Sequence, residues 1–170
     1  MGYTGGKTTS PTYHDIGDHA EGIQLDFDPS KLSYAALLQK VFETHDPTSS
    51  AGSGQYRVAV FVHDAAQRRV AEQVARARAR GAQVRMPIEA AGTFTRAEDY
   101  HQKHDLQSSS ELMRELRRYY PRFRDFVDST AAARLNSYVA GQGSKAQLAA
   151  DLERLGLSAA GKKRLLALRS

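Results

Sequence analysis

The sequence predicts an α+β fold. Three observations carry that expectation: apolar runs with strand periodicity alternate with runs of helical periodicity, a β-branched run apolar on both faces sits mid-chain, and glycine or proline punctuates each change. "GIQLDFDP" (Gly22 to Pro29) alternates Ile23, Leu25 and Phe27 with polar neighbours, the period of a half-buried strand. "SYAALLQKVFETHD" follows, with Tyr34, Leu37, Leu38, Val41 and Phe42 on one helical face and Ser33 placed to cap the N-terminus. "QYRVAVFVHD" (Gln55 to Asp64) is predicted as a central strand. A second helix runs from about Ala65 to Arg80 and stops at Gly81. "VRMPIEA" (Val84 to Ala90) is a short strand that Pro87 pushes toward an edge or a bulge.

Beyond His104 the pattern is helical throughout. "SSSELMRELRRYYPRFRDFV" breaks near Pro121, and two or three short amphipathic helices then follow, divided by Gly141, Gly143 and Gly156. Leu148, Leu152 and Leu155, then Leu165, Leu166 and Leu168, suit a small helical hairpin. The expected division is therefore residues 1–104 as a mixed domain and 105–170 as a C-terminal helical extension. No internal repeat is visible.

Composition narrows the function classes. With 170 residues, 41% apolar and 25% charged, the chain can bury a real core. No apolar run is long enough to span a bilayer, and the first residues lack the basic and apolar regions of a secretory signal, so the expected compartment is cytoplasmic, with no membrane partner. Cysteine is absent, which excludes disulfides, thiolate metal sites and cysteine nucleophiles within these residues. The net charge of +5 is uneven: residues 1–56 carry 3 Lys/Arg against 7 Asp/Glu, and the basic runs "RARARG" and "RELRRYYPRFR" lie later. Those arginines fall on helical patterns, so a solvated helix face is preferred to nucleic-acid binding.

"SPTYHDIGDHAE" (Ser10 to Glu21) concentrates a phenol, two imidazoles and three carboxylates. His19-Ala20-Glu21 matches half of the zinc deaminase signature, but the other half is a pair of cysteines, so that chemistry fails here. His101 and His104 have the spacing of a helical metal pair without a distinctive third ligand, and no metal or cofactor is expected.

Taken in order, "GYTGG" (Gly2 to Gly6), "PTY" (Pro11 to Tyr13), "HAE" (His19 to Glu21), "DFDPSKLSYAALLQKVFETHDPT" (Asp26 to Thr48), "GQYRVAVF" (Gly54 to Phe61) and "AEDYHQK" (Ala97 to Lys103) resemble the A-type peptide methionine sulfoxide reductase family, MsrA. The resemblance implies a ferredoxin-like sandwich over roughly residues 2–104 and thiol-dependent reduction of methionine S-sulfoxide, free or in proteins. It assigns Glu21 as the acid that protonates the departing sulfoxide oxygen, and Tyr13 and Tyr56 as phenols that donate to it. A carboxyl in a partly apolar pocket can hold its proton near neutrality, and phenols add donors without adding charge. His19 is expected to shape the turn. The implied partners are methionine sulfoxide and a thiol reductant such as thioredoxin.

The chain departs from the family in three places. The family's Gly-Cys-Phe-Trp motif belongs upstream of "GYTGG" and has no counterpart here, so a first strand and helix are expected to be missing. "HDIGD" is short and lacks a second cysteine, and "SSAGSG" (Ser49 to Gly54) stands where the family usually has an Asp that supports the pocket. Three explanations compete: a fragment of a longer enzyme, a cysteine-less pseudoenzyme that binds oxidised methionine, or a helical interaction module on a retained scaffold. The fragment is preferred, because losing a strand and its helix exposes apolar faces and a sheet edge. The polypeptide is expected to be inactive on its own.

Overall fold

Ser33 takes extended backbone angles and its hydroxyl accepts from Ala36 N at 3.2 Å, which starts helix α1 (Tyr34–Thr44) where its sequence predicts. The structure, a computed structural model, describes residues 1–168. The chain divides into two units, Met1–Glu98 and a second from Asp99 onward.

In the first unit, Leu38 and Phe42 point from α1 into the core. Burying each contributes about 1.5–3 kcal/mol. Helix α2 (Ala65–Ala79) begins at Asp64, whose carboxylate accepts from Gln67 N at 2.7 Å, and ends at Arg80 in the left-handed region (φ 51°), followed by Gly81. Its buried residues are Ala71, Ala75 and Ala79, one per turn, so the backbone of α2 lies close to what it covers. It packs against α1 and against strands β3 (Val60–Val62) and β4 (Ile88–Ala90). Those strands pair in parallel, Val60 with Ile88 and Val62 with Ala90, and α2 is the crossover between them. Val60, Val62 and Met86 complete this core.

A separate antiparallel sheet has β1 (Gly2–Thr4) at its centre, flanked by β2 (Ala20–Gly22) and β5 (Thr95–Arg96). Tyr3 lies opposite Glu21 on one side and Thr95 on the other.

Two strand expectations need correction. Among the described residues the alternating stretch Gly22 to Pro29 pairs only through Gly22, and Ile23 and Leu25 stand 71% and 53% exposed. Alternation fixes which side chains share a face, but it does not supply a neighbouring strand. The run from Gln55 to Asp64 forms a ladder only at Val60–Val62 and with β4 alone among the described residues, so it is not a central strand. Gly52 and Gly54 have positive φ, and Gly54–Tyr56 winds into a 3-10 turn closed by Arg57 N to Gly54 O at 3.2 Å. Pro87 stands just before β4, where its carbonyl accepts from Val60 N at 3.0 Å and its lack of an N–H is harmless. The two-residue and three-residue strands at Thr95 and Gly2 carry too little periodicity to be seen in sequence.

The second unit is helical: α3 (His104–Gln107), α4 (Ser110–Tyr119), α5 (Phe123–Asp128), α6 (Thr130–Val139), α7 (Lys145–Asp151) and α8 (Ala159–Ala167). The break at Pro121 and the turns at Gly141, Gly143 and Gly156, all at positive φ, fall where expected. Leu112, Leu116, Phe126, Leu135, Leu148 and Leu165 fill its core. Leu166 and Leu168 are exposed, so only Leu165 of that predicted trio serves the core. Ser144 and Gln147 form a reciprocal cap on α7. Ser158 caps α8 and is itself held by Glu115 of α4, whose carboxylate accepts from Ser158 N at 2.7 Å and Ser158 Oγ at 2.6 Å. Burial works against ionising Glu115, but the Ser158 hydroxyl and N–H, Arg118 and the Gly161 N–H outweigh it and hold the carboxyl below its ordinary value. Arg122 and Arg124 are exposed and pair with Asp125 and Asp128, the solvated arrangement expected of the basic run, whereas Arg117 of the same run is half-buried, its guanidinium 5.7 Å from the Phe123 ring centroid. No described helix is long and apolar enough to cross a membrane.

Candidate functional site

The site is built on β1, β2 and the loop joining them. That loop is fastened by two side chains. Asp18 accepts from Lys7 N at 2.8 Å, Thr8 N at 3.0 Å and Thr8 Oγ1 at 2.9 Å. The Thr8 and Lys7 amides, followed by the Thr8 hydroxyl, hold its carboxyl well below the usual carboxylate range. His19 is buried; its Nδ1 accepts from Gly6 N at 3.3 Å and its Nε2 lies 2.8 Å from the Thr8 carbonyl, which fixes the tautomer with hydrogen on Nε2. His19 therefore shapes the turn. A Cβ at Gly6 would fall 2.5 Å from Asp18 Oδ1 and 2.6 Å from His19 N, so the approach requires glycine.

Between these fastenings, Thr12 and Asp15 close a tight turn through mutual backbone bonds of 3.1 and 3.2 Å. Tyr13 rides on that turn. Its N–H donates to Glu98 Oε1 at 3.0 Å, and Glu98 Oε2 accepts from the buried Tyr3 phenol at 2.6 Å.

Tyr56 ends the 3-10 turn Gly54–Tyr56 and is 67% exposed. The next residue is pinned: Arg57 forms a two-pronged pair with Glu89 of β4, Nη1 to Oε1 at 2.8 Å and Nη2 to Oε2 at 3.0 Å, and its guanidinium lies 5.4 Å from the Phe61 ring centroid. A solvent-facing tyrosine thus projects from an anchored backbone.

The hydroxyls of Tyr13 and Tyr56 approach to 3.4 Å across 43 residues of sequence. That is long for an O–H···O bond, so the two phenols are not tightly committed to each other. Glu21 lies on β2, which packs against the turn carrying Tyr56. Its Oε1 is buried with no protein donor. A buried acceptor without a partner costs about 1–3 kcal/mol, and native folds retain few of them. The structure thus places two of the sequence-predicted residues in contact and the third on the adjoining strand.

Sequence reasoning missed Glu98, Arg57 and Glu89. Glu98 lies inside the "AEDYHQK" segment, but its two partners are 85 and 95 residues away. No local signal marks it, because the three-residue strand that carries Tyr3 is itself too short to be read from the sequence. Among the described residues, no cluster of three or more His, Cys, Asp or Glu side chains could hold a metal.

A family model described as peptide methionine sulfoxide reductase matches residues 1–133, which runs past the boundary between the units. The chain is similar to a peptide methionine sulfoxide reductase MsrA of Methanococcoides burtonii, 42% identical over 117 residues, covering 61% of this chain and 76% of that protein. It is 33% identical over 148 residues to peptide methionine sulfoxide reductase A5 of Oryza sativa subsp. japonica, covering 82% of this chain and 58% of that one. A Drosophila melanogaster peptide methionine sulfoxide reductase is 33% identical over 165 residues, 93% of this chain and 65% of its own length. The chain therefore spans less than two thirds of the rice and fly relatives.

Proposed function

Because this chain belongs to the peptide methionine sulfoxide reductase family, we propose that its first unit forms the oxygen-binding side of a site that reduces methionine S-sulfoxide. In this reading Tyr13 and Tyr56 donate their phenolic hydrogens to the sulfoxide oxygen. Glu21 supplies the proton that lets the S–O bond break. A thiolate attacks the sulfoxide sulfur, and the net change moves one oxygen to the thiol sulfur, leaving methionine and a sulfenic acid. A second thiol, from a reductant such as thioredoxin, condenses with the sulfenic acid, releases water and leaves a disulfide.

These 170 residues contain no cysteine, so the thiolate comes from outside them, and the chain alone catalyses no turnover. Binding is what remains to it. The same reading makes residues 1–104 the site-bearing domain and 105–170 a helical extension. It takes the β3–α2–β4 crossover as part of a ferredoxin-like sandwich, which its parallel pairing supports.

The observation that carries the reading is the approach of two phenols from separate segments, 3.4 Å apart, beside a strand bearing an unpartnered buried carboxyl oxygen. The test is titration of the chain with N-acetyl-L-methionine S-sulfoxide and, separately, its R epimer, followed by NMR of ring-labelled tyrosines. Saturable shifts at Tyr13 and Tyr56 are expected for the S epimer. Tyr56→Phe should weaken that binding about fivefold, the worth of one neutral hydrogen bond. Equal response to both epimers, or unchanged affinity in the variant, would refute it.

A further inference from the structure

We propose that Glu98 is the positioning residue of this site, tying the Tyr13 turn to the strand that faces Glu21. The inference rests on the proposed sulfoxide site and adds the element that sets the distance between its parts.

The carboxylate of Glu98 bridges two segments. Oε2 accepts from Tyr3 Oη at 2.6 Å, and Oε1 accepts from Tyr13 N at 3.0 Å. Tyr3 is only 1% exposed and sits directly opposite Glu21 in the β1–β2 register, so both side chains leave the sheet on one face. Glu98 is itself fixed, because β5 pairs with β1 just before it and Ala97 N donates to Met1 O at 3.1 Å. One carboxylate therefore refers the phenol-bearing turn to the same strand that registers the acid. The turn closes on itself through Thr12 and Asp15, which shapes it but does not locate it relative to the sheet. Asp18 and His19 fasten the loop at its ends, and the Glu98 bond sets where the Tyr13 turn between them sits against the sheet.

A double-variant cycle separates positioning from general damage. With N-acetyl-L-methionine S-sulfoxide as the probe, Glu98→Ala should weaken binding about five- to tenfold, as Tyr13→Phe does, while adding Glu98→Ala to Tyr13→Phe should cost less than about twofold more. Glu98→Gln keeps an acceptor oxygen for Tyr13 N and should bind within about twofold of the parent. In the ligand-free protein, the Tyr13 amide proton should move upfield in Glu98→Ala more than its neighbours do, and Tyr3→Phe should reproduce a part of that change. An equal loss from Glu98→Ala in both backgrounds, or an unmoved Tyr13 amide in a variant with parental circular dichroism, would overturn the proposal. If instead Tyr13→Phe leaves binding unchanged while the Tyr13 amide does shift, the clamp stands and the sulfoxide site is what fails.

Discussion

Replacing Gly161 by alanine in α8 should destabilise the second unit, although alanine is the better helix former. A Cβ there would lie 2.5 Å from Glu115 Oε2 and 2.7 Å from Oε1, so the carboxylate has to move. An end-of-chain carboxylate usually moves cheaply, but this one accepts both the N–H and the hydroxyl of Ser158, which caps the same helix. Two bonds to a charged acceptor, taken at the low end for a partly exposed pair, amount to about 3 kcal/mol. The propensity gain of Gly to Ala offsets about 1 kcal/mol, leaving a net loss of about 2 kcal/mol. Urea denaturation followed by far-UV circular dichroism, with amide exchange of α8 to assign the loss to this unit, measures it. The sign should reverse in a Glu115→Ala background, where alanine at 161 meets no obstacle and should stabilise by up to about 1 kcal/mol. A Gly161→Ala protein as stable as the parent, or no reversal in the second background, would refute the argument.

Asp18 should stay ionised well into acid. Its carboxyl is held below the ordinary value, so the stability it contributes is present above that value, about 4, and is lost only as pH falls through the depressed one. The Lys7 and Thr8 amide shifts should therefore hold below pH 4 and lose this acid transition in Asp18→Asn; a midpoint near 4 would contradict it. Replacing Arg57 by Lys keeps the charge but loses the two-pronged geometry with Glu89, and should cost about 1–2 kcal/mol in denaturation while raising the mobility of the Tyr56 ring.

How much was legible depends on where each signal resides. The long helices were readable because their information is local: Ser33 and the Leu38–Phe42 face lie within ten residues of each other. Gly141, Gly143 and Gly156 were equally plain, since positive φ is a property of one residue. Strands fared worse. Ile23 and Leu25 alternate as strand residues do, yet pairing depends on a neighbour that sequence does not reveal. Tyr13, Tyr56 and Glu21 came from ordered resemblance and not from periodicity, and the phenols proved to meet. Glu98 could not be found that way, because its importance is a contact between residues far apart in the chain.

The ring of His19 has one lone pair and one hydrogen to offer, and a single stretch of backbone takes both. An electrophile can reach the lone pair on Nδ1 only after the Gly6 N–H lets go. Carbethoxylation of this imidazole would accordingly report how often the loop opens, which makes the histidine a built-in clock for motion beside the tyrosines.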